Sequence, residues 1–168
     1  MIGYRDATVD DAALLSTLSR RSFSETFGHL YAPDDLAAFL ARLDVAAWAG
    51  ELGDPRFRVR LAEDDGAAVG FAKLGPPSLP FEPRGASAEL RQLYVLAPWH
   101  GSEVARTLMA WVIASARAAG AADLYLSVFT ENPRARRFYE RHGFERIGTY
   151  AFMVGNHADE DDIMRLAL

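Results

Sequence analysis

A tyrosine that follows a helix-capping asparagine is the best candidate for chemistry in this sequence. Asn132 precedes a proline at the start of a short helical pattern, which ends at Gly143. The hydroxyl of Tyr139 can act as a general acid toward an anionic leaving group. Taken alone, Tyr139 beside Phe138 on an apolar helix face is more often a core side chain, and Asn132 can be no more than a cap. The same helix carries four arginines that suit a solvated face, or a contact of one of them with a phosphate: Arg134, Arg136, Arg137 and Arg141.

The second candidate is an anion site that the backbone itself provides. The pattern predicts a strand over Glu89–Leu96, a tight turn over Ala97–Gly101, and a long amphipathic helix that opens near Ser102 or Glu103. A strand that turns directly into a helix directs free N–H groups and the positive helix end at one place, which suits a phosphate. The sequence contains neither G-x-x-x-x-G-K-[ST] nor G-x-G-x-x-G after a strand. This argues against nucleotide hydrolysis and dinucleotide redox chemistry.

Length and composition limit the remaining possibilities. A chain of 168 residues, half of them hydrophobic, suits one domain with a single core. It contains no cysteine, which excludes disulfides and thiol catalysis, and its four histidines are scattered. A net charge of −5 argues against a nucleic-acid partner and mildly favours cationic ones. No apolar run approaches the roughly 18 residues of a membrane span, and no signal pattern opens the chain. We therefore expect a cytoplasmic, metal-independent domain with no membrane partner.

Hydrophobic periodicity predicts an α/β domain in which antiparallel strands precede a parallel pair. A strand that is apolar on both faces follows the long helix, and this order indicates a right-handed crossover with parallel pairing. Helices are predicted after Asp10 or Asp11 as far as Gly28, from Pro33, and in the two stretches described above. The predicted strands are Gly3–Ala7, Phe57–Ala62, Val69–Leu74, Glu89–Leu96, Asp123–Thr130, Phe144–Val154 and Asp162–Leu168.

Three connections carry further expectations. Asp64-Asp65-Gly66 is a hairpin turn signal between two of the strands, and Gly70 allows a close approach of another backbone. The Pro-rich segment from Pro76 to Gly85 is either a lip of a substrate cleft or a surface connector. The run from Gly155 to Asp159 is predicted as a turn between the last two strands.

Two motifs resemble the signatures of the GNAT N-acetyltransferase superfamily. The first is Leu93-Tyr94-Val95 followed by Trp99 to Ala105 and Leu108. The second is Asn132-Pro133-x-Ala135-x-x-Phe138-Tyr139-Glu140-x-x-Gly143-Phe144. The resemblance implies one GNAT-type acyl-CoA-dependent domain over residues 1–168. It also implies a mixed α/β (α+β) sheet of six or seven strands with N-terminal antiparallel strands, a central splayed parallel pair, and about four helices on both faces.

The resemblance also implies a reaction and a role for each of the matching residues. An amine would attack the thioester of acetyl-CoA directly, and Tyr139 corresponds to the general acid that protonates the leaving thiolate. Backbone groups of Leu93, Tyr94 and Val95 would bind the pantetheine arm, and Asn132 corresponds to a side chain that hydrogen-bonds it. The pyrophosphate would be held by the turn and first helical residues, which are His100, Gly101, Ser102, Glu103, Val104, Ala105 and Arg106.

The first motif departs from the family pattern at two positions. His100 stands where Gln or Arg is usual, which costs little if its ring reaches a phosphate. Glu103 replaces the central Gly, and at about 6 Å with a dielectric near 20 it would repel each phosphate charge by about 2–3 kcal/mol. Binding survives if this side chain turns to solvent, or if Lys73 or Arg106 neutralises it. A non-catalytic, regulatory acyl-CoA-binding module with a degraded pyrophosphate loop is the alternative function.

The general base and the acceptor are the least defined parts. Some family members carry a Glu where Ser127 stands, so Glu89 is the first candidate base, with Glu131 or a base acting through water as alternatives. Segments around Arg21–Phe27 and Phe152–Met164 resemble the bacterial polyamine-acetyltransferase branch, and their acidic residues suit a cationic acceptor. A polyamine-like molecule, another small amine, or a protein N-terminus or lysine are the possible acceptors. The protein is expected to be a monomer or a homodimer.

Overall fold

One mixed sheet of seven strands organises the chain, and the computed structural model describes all residues from 1 to 168. Its strand order is β1-β2-β3-β4-β5-β7-β6, and β4 and β5 are its parallel neighbours. The predicted α/β fold class, with antiparallel strands first and a central parallel pair, is confirmed. The strands are β1 Ile2–Asp6, β2 Arg58–Asp64, β3 Ala67–Gly75, β4 Ser87–Val95, β5 Asp123–Phe129, β6 Glu145–Val154 and β7 His157–Ala167.

Helices cover both faces of this sheet because each face carries its own apolar cluster. On one face Leu15 of α1 packs with Trp48 of α3, and on the other Leu108 of α4 packs with Leu126 of β5. The helix α3 is absent from the sequence prediction. No helix is long and apolar enough to cross a membrane. The α-helices are α1 Ala12–Phe27, α2 Pro33–Ala41, α3 Val45–Leu52, α4 Glu103–Ala118 and α5 Pro133–Arg141.

The two hairpin turns differ in how clearly their sequences predict them. Asp65 and Gly66 both have positive φ, 47° and 84°, as a two-residue turn of this kind requires. The second turn also contains two residues, Gly155 with φ 58° and Asn156, and β7 begins at His157. The prediction of a longer turn and a strand from Asp162 is therefore wrong. The polar run before Asp162 pairs with β6 as part of a strand. Its sequence resembles a loop because its inward side chains, Asp159 and Asp161, are polar and face a cavity instead of a core.

A gap opens between the two parallel strands. Their pairing covers Ser87↔Asp123 to Glu89↔Tyr125 only, although both strands continue for several residues. A β-bulge lies in β4 opposite Lys73 and Leu74, and such bulges bend a strand. Beyond the bulge, a Cβ on Gly70 would lie 2.9 Å from the Tyr94 carbonyl oxygen, so glycine lets β3 hold β4 closely. The predicted splayed pair is present, and it leaves β4 backbone unpaired on the side of β5.

Candidate active site

A cavity of about 640 Å³ occupies the gap between β4 and β5. Phe23 and Phe27 of α1 line it from one face of the sheet, and Phe138 and Tyr139 of α5 line it from the other. Ligand sites of small molecules commonly have volumes of about 300–1,000 Å³. The cavity therefore connects the two faces through the sheet, and two substrates can meet inside it.

The beginning of α4 forms one wall of the cavity. Ser102 is the N-cap: the Val104 N–H donates to its Oγ over 3.3 Å, and its hydroxyl donates to the Trp99 carbonyl over 2.6 Å. Gly101, with φ 77°, makes the turn that brings the helix end to the cavity. The N–H groups left free in this turn and the helix dipole favour an anion here. Of the predicted pyrophosphate residues, those that line the cavity are His100, Gly101, Ser102, Ala105 and Arg106.

His100 holds its neighbours in place. Its Nε2 lies 2.6 Å from the Val95 carbonyl oxygen, and its Nδ1 lies 2.7 Å from a guanidinium nitrogen of Arg134. A carbonyl only accepts and an arginine only donates, so Nε2 carries the hydrogen and Nδ1 accepts. The ring has no N–H left for a phosphate, which corrects the expectation for His100. Arg134 also lines the cavity, and the Val95 carbonyl is occupied by His100.

Glu103 points away from the cavity. Its side chain is 74 % exposed and forms an ion pair with Arg106, one turn further along the helix. Neither Glu103 nor Val104 lines the cavity, so only their backbone contributes to the helix end. Lys73 is buried elsewhere, where it pairs with Glu51. The side chain of Glu103 therefore does not oppose a phosphate at this site.

Tyr139 and Asn132 both line the cavity. Burial, and to a smaller degree the nearby Tyr94, raises the pKa of Tyr139 well above its usual value. This phenol is therefore protonated at every physiological pH, as a general acid must be. The Asn132 Oδ1 accepts from the Ala135 N–H over 3.3 Å, so it caps α5, and its amide nitrogen is left for a ligand.

The structure does not bring Glu89 into the cavity. Its carboxylate is buried and accepts from Ser78 N–H and Oγ, both at 2.9 Å, and from the Leu79 N–H at 3.2 Å. It also pairs with Arg91 at 3.0 Å. A general base must reach the amine directly or through one water. Glu89 instead fixes the Pro-rich loop, and the geometry gives its predicted role as the base no support. Glu131 is exposed and also lies outside the cavity.

Two carboxylates of β7 form the polar end of the cavity. Asp159 accepts from the Tyr31 hydroxyl and lies 3.1 Å from His157 Nε2. Asp161 is 6 % exposed, and burial raises its pKa to about 7. From the sequence, both belong to the segment Phe152–Met164, whose acidic residues suit a cationic acceptor. Alternation along a strand beginning at His157 is the signal that would have separated them from their neighbours. The aromatic side chains that line the cavity include Phe23, Phe27, Tyr31, Tyr94, Phe129 and Phe152.

Comparison with known proteins identifies the family of this chain. The model of the Acetyltransferase (GNAT) family matches residues 15–144. An uncharacterized N-acetyltransferase of Mycobacterium tuberculosis is 36 % identical over 155 residues, which cover 92 % of this chain and 96 % of that protein. The chain belongs to the GNAT acetyltransferase family. A second relative, the aminoalkylphosphonate N-acetyltransferase of Salmonella typhimurium, is 35 % identical over 101 residues, covering 59 % of this chain and 64 % of that protein.

Solved structures of similar shape agree with the GNAT fold. The PaiA N-acetyltransferase of Thermoplasma acidophilum, in complex with coenzyme A, has a TM-score of 0.81 and 19 % identity, covering 100 % of this chain and 99 % of that one. The Salmonella typhimurium protein yncA, with its cofactor acetyl-CoA, has a TM-score of 0.70 and 21 % identity, covering 100 % and 94 %. These ligands agree with the prediction of acetyl-CoA as co-substrate. The resemblance to the polyamine branch stays a prediction. No group of three or more histidine or acidic side chains is arranged to hold a metal ion.

Proposed function

We propose that this protein transfers an acetyl group from acetyl-CoA directly to a primary amine. The observation that carries the proposal is the cavity through the sheet, which has the α4 N-terminus and Tyr139 on one side and two carboxylates on the other. This is the arrangement that brings an acyl donor and an amine together at the splay of β4 and β5. No covalent acyl-enzyme is needed, because holding both reactants in one site supplies most of the advantage.

The residues on the α4 and α5 side fit the donor. The helix N-terminus and Arg134 favour the pyrophosphate, and the unpaired edge of β4 at Leu93 and Tyr94 favours the amide groups of the pantetheine arm. Arg141 also lines the cavity and adds positive charge, whereas the charge of Arg106 is paired with Glu103. Acetyl-CoA would supply an activated thioester there, and these residues would bind and orient it.

Tyr139 is placed to act on the leaving group. When the amine nitrogen attacks the thioester carbonyl, the sulfur departs with the electron pair of the C–S bond and needs a proton. Tyr139 is protonated and lines the cavity. General acids in such positions accelerate reactions by about 10²–10⁴-fold.

The acceptor that best fits the polar end is a small cationic amine. Asp159 and Asp161 attract an ammonium group, and the aromatic rings around them provide faces that attract cations as well. A polyamine belongs to this class, and so do other small amines with a compact polar group. The alternative of a regulatory module rested on Glu103, and the outward direction of that side chain removes this observation.

A thiol-release assay with a panel of amines tests the proposal. The panel contains spermidine, n-butylamine, an aminoalkylphosphonate and a peptide with a free N-terminus. We expect coenzyme A to appear only when acetyl-CoA and an accepted amine are both present. Tyr139→Phe should lower kcat by about 10²–10³-fold while acetyl-CoA still binds.

The matched control is Tyr4→Phe, which removes a hydroxyl from the edge strand β1, outside the cavity. It should keep wild-type kcat. Absence of acetyl-CoA binding at millimolar ligand would refute the proposal as a whole, and undiminished turnover of Tyr139→Phe would refute the role of this residue.

A further inference from the structure

We propose that Asp161 is the proton acceptor of the reaction and takes a proton from the ammonium form of the acceptor before attack. This assignment rests on the proposed acetyl transfer and replaces Glu89 in that role. The side chain lies on the cavity wall, whereas the carboxylate of Glu89 is outside it and already accepts three hydrogen bonds from the Pro-rich loop.

The sheet register places Asp161 at the splay. On β7 it lies opposite Phe129 of β5 on one side and Tyr150 of β6 on the other. The pairing of β5 with β7 continues to this position, whereas the pairing of β5 with β4 has already ended at Tyr125. Asp161 therefore stands beside the part of β5 that faces the gap, where the two substrates would meet.

Asp161 differs from its neighbours on β7 because no basic side chain lies within ion-pair distance of it. Asp162 faces the opposite side of the sheet and pairs with Arg136 and Arg146. Asp159 accepts from Tyr31 and contacts His157. Asp161 forms no salt bridge, although its side chain is almost completely buried. A buried carboxylate without a counter-ion is costly, and an incoming ammonium group would supply that counter-ion.

Polar groups from several elements surround Asp161. They are the hydroxyls of Tyr31 before α2, Tyr94 on β4, Ser127 on β5 and Tyr150 on β6, together with the carboxylates of Asp159 and Asp162. None is a cation. Burial, together with the two carboxylates and against the hydrogen bond from Ser127, raises the pKa of Asp161 to about 7. A base with this pKa accepts a proton near neutral pH and can release it again to solvent.

The proton balance closes without another reactant. The ammonium group gives one proton to Asp161, and the neutral nitrogen then forms the C–N bond while the C–S bond of the thioester breaks. Tyr139 gives its proton to the departing sulfur. The nitrogen loses a second proton as the amide forms, and this proton restores Tyr139. The products are the acetylated amine, the thiol, and the one proton that Asp161 passes to solvent.

The pH dependence of Asp161→Asn tests the assignment, with spermidine and n-butylamine as probes. In the wild type we expect log kcat/KM to fall with unit slope below about pH 7, because Asp161 is then protonated and cannot accept. Asp161→Asn should lose about 10²–10³-fold in kcat and lack this acidic limb, while its affinity for acetyl-CoA is kept. The matched control is Glu160→Gln, an exposed acidic residue on the same strand, which should keep both the rate and the limb.

A second measurement does not depend on the variant. In wild-type protein with ¹³C-labelled aspartate, the Asp161 carboxyl should titrate near pH 7, and its pKa should fall when n-butylammonium binds in the presence of coenzyme A. An Asp161 carboxyl that titrates near pH 4 and ignores the amine would overturn the assignment.

The two proposals fail in different ways. An active wild type whose Asp161→Asn variant keeps both its rate and its acidic limb contradicts only the role of Asp161. A wild type that binds acetyl-CoA but acetylates no amine of the panel contradicts the proposed function, and the role of Asp161 with it.

Discussion

At the scale of single residues, the direction of the Glu103 side chain determines whether this departure from the family pattern affects the site. Glu103 stands in the first turn of α4, where backbone N–H groups would meet a pyrophosphate. A carboxylate in this turn complements the helix dipole, and here it reaches outward to Arg106. The backbone donors stay available while the charge remains in solvent. The replacement of a glycine by a glutamate is therefore compatible with a working site.

We predict that Glu103→Gln changes the acetyl-CoA dissociation constant by less than about threefold, because an exposed charge and an exposed ion pair contribute little. Calorimetric titration at low and moderate salt measures this. Arg134→Ala should weaken binding about tenfold or more, since a charged hydrogen bond to a phosphate is lost. Arg137→Ala, outside the cavity, is the control for the arginine. A tenfold tighter complex of Glu103→Gln would mean that its carboxylate faces the phosphates.

Residue identity alone does not assign the two candidate bases. Glu89 and Asp161 are both buried carboxylates, and comparison with the family motifs favours Glu89. Their hydrogen bonds separate them: Glu89 satisfies the backbone of a loop, whereas Asp161 faces the cavity without a cation. The folded course of the loop and of β7 decides this, and a single sequence does not contain it.

At the scale of elements, the shape of β4 creates the site. The strand pairs with β3 along its length, carries a bulge, and leaves β5 after Glu89. Gly70 on β3 supports this course, since its missing side chain lets the backbone at Tyr94 and Val95 approach closely. The position of the β4 backbone donors and acceptors therefore depends on the contact with Gly70 of β3, on the side of β4 away from β5.

We predict that Gly70→Ala lowers kcat/KM by about tenfold and also lowers Tm. Its Cβ would lie 2.9 Å from the Tyr94 carbonyl oxygen and push β4 toward the cavity, and small displacements of a reacting geometry are costly. The control is Gly148→Ala on β6, where a Cβ would meet nothing within 4 Å. An unchanged kcat/KM in Gly70→Ala would show that the position of β4 does not limit catalysis.

Elements with local signals were predictable, and elements held by distant contacts were not. Three features depend only on adjacent residues, and all are present: the cap at Ser102, the proline at the start of α5 and the Asp65-Gly66 turn. The helix α3 has only eight residues, about two turns, and buries Trp48 alone, so its apolar pattern is too short to stand out in the sequence. The first half of β7 reads as a polar loop because its inward side chains are aspartates.

The sequence therefore predicts the proposed donor half of the site more directly than the proposed acceptor half. Tyr139 and Asn132 belong to one contiguous motif, and the helix end that faces them follows from local caps. The acceptor half depends on Tyr31 meeting Asp159, two residues separated by 128 positions. Only the completed sheet brings these positions together.

At the scale of the whole molecule, the proposed function requires that two substrates enter from opposite faces of the sheet and meet at its gap. The α4 and α5 face supplies the helix end and Tyr139, while α1 and the β6–β7 hairpin enclose the acidic end. The hairpin is held to α2, where Asp35 accepts from the Asn156 N–H over 2.8 Å. The chain has no cysteine to carry an acyl group. The architecture therefore favours direct transfer within a ternary complex.

Mass spectrometry after a single turnover tests this central claim most directly. The protein is mixed with one equivalent of acetyl-CoA and an excess of spermidine, n-butylamine or another amine of the panel. The masses of the protein and of the amine are then measured separately. We predict that the amine carries the acetyl group, that coenzyme A is released in equal amount, and that the protein mass is unchanged. An acetyl group found on the protein, or coenzyme A released without any acetylated amine, would contradict the account.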